Sequence, residues 1–196
     1  MIKTGSTRDY LYENILPKNS ICAEIGVRTG VNSDRILRLI NPKKLYLIDC
    51  WDWTLNKREN NPTYNNILEE YYKGINMEEW YGIVKEKYKN IKNIEIIRDL
   101  SISAAKKFED NYFDWVYIDA SHDYLSVQED LNAWFPKIKQ DGFLCGHDYY
   151  EPWDEIPSVK VSVDDFIKKN KLELFYFNIK EERGIDGASD WAIKKY

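Results

Sequence analysis

Short apolar runs alternating with helical periodicity constrain this chain more than any other feature. The runs are Ile21–Ile25, Leu45–Ile48, Ile94–Ile97, Trp115–Ile118 and Phe143–Cys145. Helical patterns separate several of them. One places Ile36, Leu37 and Ile40 on a single face, has Asn32 or Ser33 as its N-cap and ends at Pro42. A short one holds Ala104, Ala105 and Phe108. In the clearest, Val127, Leu131, Trp134, Phe135 and Ile138 share one face. Strands separated by helices are joined by crossovers, which gives a parallel sheet with helices on its faces. Asp141-Gly142 reads as a turn into the fifth strand, and Ser162–Asp165 as the capping-box-like start of another helix. The final runs, Leu172–Phe177 and Trp191–Ile193, have only the loop 180–190 between them, so they should pair antiparallel. The expected fold is α/β: a doubly wound, seven-stranded, mostly parallel sheet with a C-terminal antiparallel strand pair.

The 196 residues suit a single domain with a substantial core. One segment breaks the rhythm. Residues 51–93 are far more than one crossover needs, and only Met77–Lys89 looks helical. A loop of this length beside a strand tip reads as an insertion that acts as a lid or substrate wall.

Charge and cysteine content narrow the setting. The net charge is −5, with acids and bases interleaved and no basic block, so no nucleic-acid partner is expected. No apolar run approaches the roughly 20 residues that span a bilayer, so no membrane partner is expected either. The polar start, with Arg8, Asp9 and Glu13, does not read as a signal peptide. Cys22, Cys50 and Cys145 lie in or beside apolar runs without metal-type spacing and read as reduced thiols, which fits a cytoplasmic protein. Oligomeric state leaves no mark in the sequence.

Two constellations carry chemistry. The first is the turn Glu24-x-Gly26-x-x-x-Gly30 after the first strand, with Asp49 at the tip of the second. A glycine-bounded strand-to-helix turn admits a ligand close to backbone, and an acid on the next strand tip can take ribose hydroxyls. Glu24 stands where a dinucleotide fingerprint has its first glycine. A carboxylate there opposes a pyrophosphate and suits a cofactor carrying an ammonium group, such as S-adenosylmethionine.

On these residues the chain resembles the class I S-adenosylmethionine-dependent methyltransferases, with their Rossmann-like sheet. More narrowly, it is similar to the small-molecule O-methyltransferases of the macrolide-sugar type. The matching stretches are AEIGVRTG, LYLID, RDLSISAAKKF and the block from Phe113 to Tyr149. The resemblance implies that Gly26 and Gly30 border the cofactor's amino-acid end with Glu24 near its ammonium. It implies that Asp49 holds the ribose, and that Asp99 with Ser101 lies near the adenine.

The second constellation is Asp119, His122, His147 and Asp148, at two strand tips that would be neighbours. Methyl transfer to a hydroxyl needs the proton removed, and a divalent cation can acidify that hydroxyl. By resemblance, Asp119 and Asp148 occupy the places of metal-ligating acids and His122 that of the base, which makes Asp119 and His122 the catalytic candidates. Tyr149 stands where a further acidic or amide ligand often follows. Either His147 completes a site for a cation such as Mg, or the site works without metal. The expected acceptor is a small-molecule hydroxyl. The competing readings are a nicotinamide-dependent oxidoreductase and a non-catalytic protein that keeps the fold. Asn61-Pro62-Thr63-Tyr64 resembles a signature of DNA amine methylation, but it falls after the wrong strand.

Overall fold

The computed structural model describes residues 3–5, 8–57, 61–149, 158–178 and 189–196. It has one sheet. In chain order the strands are β1 (Lys3–Gly5), β2 (Ile21–Ile25), β3 (Lys44–Asp49), β4 (Ile94–Arg98), β5 (Phe113–Ile118), β6 (Ile138–Gly146), β7 (Leu174–Asn178) and β8 (Trp191–Lys194). Their spatial order is β1-β7-β8-β6-β5-β2-β3-β4. Strands β4, β3, β2, β5 and β6 run parallel, and β8 is antiparallel to both β6 and β7. All seven expected strands are present. The addition is β1, which pairs parallel with β7 at the sheet edge. It is too short to show an alternating pattern.

The strands read as unbroken apolar runs because both faces of the sheet are covered. Successive residues serve opposite layers. Ala23, Ile25, Val116 and Ile118 face a core built with α6 (Tyr124–Trp134) and α7 (Ser158–Asn170), through Leu131, Trp134, Val163 and Phe166. Cys22, Leu45, Trp115 and Tyr117 face the other core, built with α1 (Arg8–Asn14), α2 (Val31–Ile40) and α4 (Met77–Tyr88), through Leu11, Tyr12, Ile36 and Val84. The remaining helices are α3 (Pro62–Tyr71) and the short α5 (Ser101–Ala105).

Four local expectations change. The N-cap of α2 is Gly30, in the left-handed region at φ 78°, and neither Asn32 nor Ser33 caps it. Both are instead buried, and they serve Glu24. The helix expected to run to Ile138 ends at Trp134, and Pro136 lies in a following 3-10 turn. Asp141-Gly142 is part of β6, where the pairing with β5 shifts register between Phe113 and Trp115. Ser162 lies inside α7, and its hydroxyl donates to the Ser158 carbonyl at 2.8 Å. Most of the loop 180–190 falls outside the described residues.

Within residues 51–93, a 3-10 turn (Trp53–Asn56) and α3 precede α4. Helix α3 went unread because its start lies in a polar stretch. Asn61 caps it by accepting from the Tyr64 amide at 3.0 Å, and Pro62 takes the first turn. The Asn-Pro pair is therefore a helix start.

Candidate active site

A cavity of about 990 Å³ opens at the C-terminal ends of β2 to β6, roofed by residues of the 51–93 segment. Arg28, Trp51 and Asp148 line it with positive φ (56°, 45° and 56°), a conformation that non-glycine residues adopt at a cost.

Gly26 and Asp49 build the floor. A Cβ on Gly26 would lie 1.9 Å from the Asp119 carbonyl oxygen, so glycine lets the β2 and β5 tips close together. Asp49 braces the turn after Gly26. Its Oδ2 accepts from the Val27 and Arg28 amides, both at 2.9 Å, and its Oδ1 accepts from the Trp51 amide at 2.8 Å. A carboxylate has about four acceptor sites, so one on Oδ1 remains for a ligand hydroxyl. Asp99 also lines the wall. Its pKa is lowered by the Lys107 ammonium at 2.8 Å, and its Oδ1 accepts from the Leu100 amide at 2.8 Å. Ser101 lines the wall too, but its hydroxyl is bound to Asp130 and to Trp134 Nε1, so it ties α5 to α6.

Two cofactor candidates sit elsewhere. Glu24 is 1% exposed and is not among the residues that line the cavity. Alternation turns it inward, where Asn32 Nδ2 donates at 3.0 Å and Ser33 Oγ donates to its other oxygen. Burial pushes its pKa up to about 8, against the pull of these two hydrogen bonds. Gly30 is also off the cavity wall. Its Cβ would lie 2.7 Å from the Tyr88 hydroxyl, which donates to the Gly30 carbonyl at 2.8 Å. The φ of 78° and this close approach both favour glycine there.

The second constellation is assembled as expected. Asp119 follows β5, and its amide donates to the Ile25 carbonyl at 2.8 Å. His147 and Asp148 follow β6. Asp148 sits between both histidines: Oδ2 is 2.9 Å from His122 Nε2, and Oδ1 is 2.9 Å from His147 Nδ1. Burial of Asp148 opposes its charge, yet the two imidazole bonds hold its pKa far below the usual carboxylate range. Burial would also lower His147, but the bond to Asp148 and the charge of Asp119 outweigh it and raise its pKa. Burial raises that of Asp119. The His122 side chain is 44% exposed and Asp148 only 7%, so the imidazole faces the cavity with the acid behind it. Tyr149 is buried and donates to Asp164 at 2.7 Å, away from the cavity.

Among the described residues, the group able to hold a metal is Asp119, His122 and Asp148, whose ligand atoms lie within 4.8 Å of one another. His147 Nδ1 lies beside the same two carboxylates, 2.9 Å from Asp148 and 3.9 Å from Asp119. Two carboxylates and an imidazole fit a divalent cation of mixed oxygen and nitrogen preference better than magnesium, which favours oxygen ligands and water.

Sequence reading missed Arg8. Its Nε is 3.1 Å from Asp190 Oδ1 and its Nη1 3.7 Å from Asp119 Oδ2, so α1 reaches the cavity wall. No motif surrounds it; the apolar Leu11-Tyr12 pair that buries α1 was the available signal. Also missed were Ile67 and Leu68, which line the cavity and which the spacing on α3 could have shown.

The chain matches the Methyltransferase domain family over residues 23–149, more than half its length. It belongs to that family, and its fold is that of the class I S-adenosylmethionine-dependent methyltransferases. Family and fold together set aside the nicotinamide reading. Solved structures share the fold at low identity. Spermidine synthase from Thermotoga maritima matches at 16% identity and TM-score 0.60, over 97% of this chain and 58% of that one. The chain thus spans well under two thirds of that enzyme. SMU.1697c from Streptococcus mutans, solved in complex with SAH, matches at 17% identity and TM-score 0.59, over 96% of this chain and 95% of that one. An rRNA methylase from Streptococcus thermophilus matches at 12% identity and TM-score 0.61, over 95% and 93%. No curated protein matches. The rRNA methylase corrects one expectation: this fold serves a nucleic-acid methylase, so a lack of basic blocks does not exclude nucleic acid or single out a small-molecule acceptor. No helix among the described residues is long and apolar enough to cross a membrane.

Proposed function

We propose that this chain transfers a methyl group from S-adenosylmethionine to an acceptor hydroxyl, with His122 as base and Asp148 as its orienting acid. The observation that carries the reading is the His122–Asp148 pair at the β5 and β6 tips, in the cavity that Gly26 and Asp49 floor. Bound there, S-adenosylmethionine would supply a sulfonium-activated methyl whose leaving group is a neutral thioether. Asp49 Oδ1 would accept from the ribose, and Asp99 would lie toward the adenine. Asp148 orients His122 through Nε2, and the imidazole takes the hydroxyl proton. The charge of Asp148 stabilises the imidazolium that forms. Asp119, held by Arg8, adds negative charge beside it. Residues 51–93 are, in this reading, an insertion in a single methyltransferase domain that walls the acceptor.

The test is His122→Ala, assayed for radiolabelled methyl transfer to a panel of sugars, phenols and RNA. It should lose turnover by a factor on the order of 10²–10⁴ and keep cofactor affinity. Unchanged turnover would refute the base. The cluster of Asp119, His122 and Asp148 supports a second reading, in which these three hold a cation that acidifies the hydroxyl. Loss of turnover on chelation, with recovery on adding metal, would select it.

A further inference from the structure

Helix α3 is amphipathic, yet none of its residues is fully buried, Tyr64 and Leu68 being half-buried. Tyr64, Ile67, Leu68 and Tyr71 follow the i, i+3, i+4, i+7 spacing of one helical face, and all four line the cavity. Ile67 and Tyr71 remain 61% and 62% exposed. Leu55, in the preceding 3-10 turn, lines the same wall and is 53% exposed. The opposite face is charged: Glu69 pairs with Lys57 and Glu70 with Lys73. An apolar helix stripe ordinarily faces a core. This one faces the cavity that His122 and Asp148 also line. We infer that the stripe is the acceptor subsite, and that the part of the acceptor flanking its reactive hydroxyl is apolar or aromatic.

Apolar surface left in water, as at Ile67 and Tyr71, forgoes its burial free energy unless something covers it. The stripe lines the same cavity as His122 and Asp148, so its occupant shares that cavity with the reacting groups. At about 990 Å³ the cavity lies at the upper end of the size range for ligand pockets, leaving room for an acceptor beside the cofactor. The inference rests on the methyltransferase reading, and its test separates the two.

The experiment titrates 2-naphthol, and D-ribose as the polar comparison, into protein saturated with S-adenosylhomocysteine, for wild type and the double variant Ile67→Ser, Tyr71→Ser. Both substituted residues are exposed, so the variant should keep its thermal midpoint. Wild type should bind 2-naphthol and not ribose. The variant should weaken naphthol binding by roughly tenfold or more, with S-adenosylhomocysteine affinity unchanged. Naphthol binding that is absent, or equal in both proteins, overturns the inference. A parallel loss of S-adenosylhomocysteine affinity also overturns it, because the stripe would then cover the cofactor. If wild type binds no S-adenosylhomocysteine, the methyltransferase reading fails, and the same titration on the free protein still decides the stripe.

Discussion

Replacing Gly26 by alanine tests how the fold makes the site. The added Cβ would lie 1.9 Å from the Asp119 carbonyl oxygen, 2.6 Å from its carbonyl carbon and 2.9 Å from Ala120 Cα. All three are backbone atoms, so no side chain can swing aside. The β2 and β5 tips would have to part by about 1 Å, in an interior packed as densely as an organic crystal. Gly26 also has φ 87°, which costs an L-residue roughly 1–2 kcal/mol. Overpacking adds roughly 1–3 kcal/mol, for a total of about 2–5 kcal/mol. For a chain of this size that lowers the thermal midpoint by roughly 5–20 °C. Calorimetry measures the midpoint, and methyl transfer measures the displacement of Asp119. A midpoint within about 2 °C of wild type would show that the close approach is not a constraint and would refute the reasoning.

Two further substitutions probe buried charge. Burial raises the pKa of Glu24 from 4.5 to about 8, so the folded state binds the extra proton between these values and stability should fall as pH rises through that window. Glu24→Gln should flatten that decline in urea midpoints taken at about pH 5 and pH 8, and an unchanged slope would contradict it. Arg8→Gln removes the Arg8 charge from beside the buried Asp190 and should cost roughly 3–5 kcal/mol, read as a lowered thermal midpoint; no change would remove Arg8 from the structural account.

The sheet was legible because strands covered on both faces leave unbroken apolar runs, as in Ile21–Ile25 and Trp115–Ile118. The strand-tip acids Asp49, Asp119 and Asp148 were legible for the same reason, since each interrupts a run where the chain leaves the sheet. What depends on tertiary partners was not. Alternation places Glu24 inward, but the motif alone could not say that Asn32 and Ser33 would enclose it. Gly30 carries the same letter as Gly26, yet it answers to Tyr88 and not to the cavity. Arg8 reaches the site because α1 packs through Leu11 and Tyr12, contacts between segments distant in sequence. Helix α3 escaped because its start lies in a polar stretch and its apolar stripe serves no core.

The central claim is that the cavity floored by Gly26 and Asp49 takes S-adenosylmethionine. Isothermal titration of S-adenosylmethionine into wild type and Asp49→Ala tests it most directly. The account predicts sub-millimolar binding to wild type and a loss of at least roughly tenfold in the variant, which forfeits the ribose acceptor and frees three turn amides. No binding to wild type, or equal binding to both proteins, would contradict it.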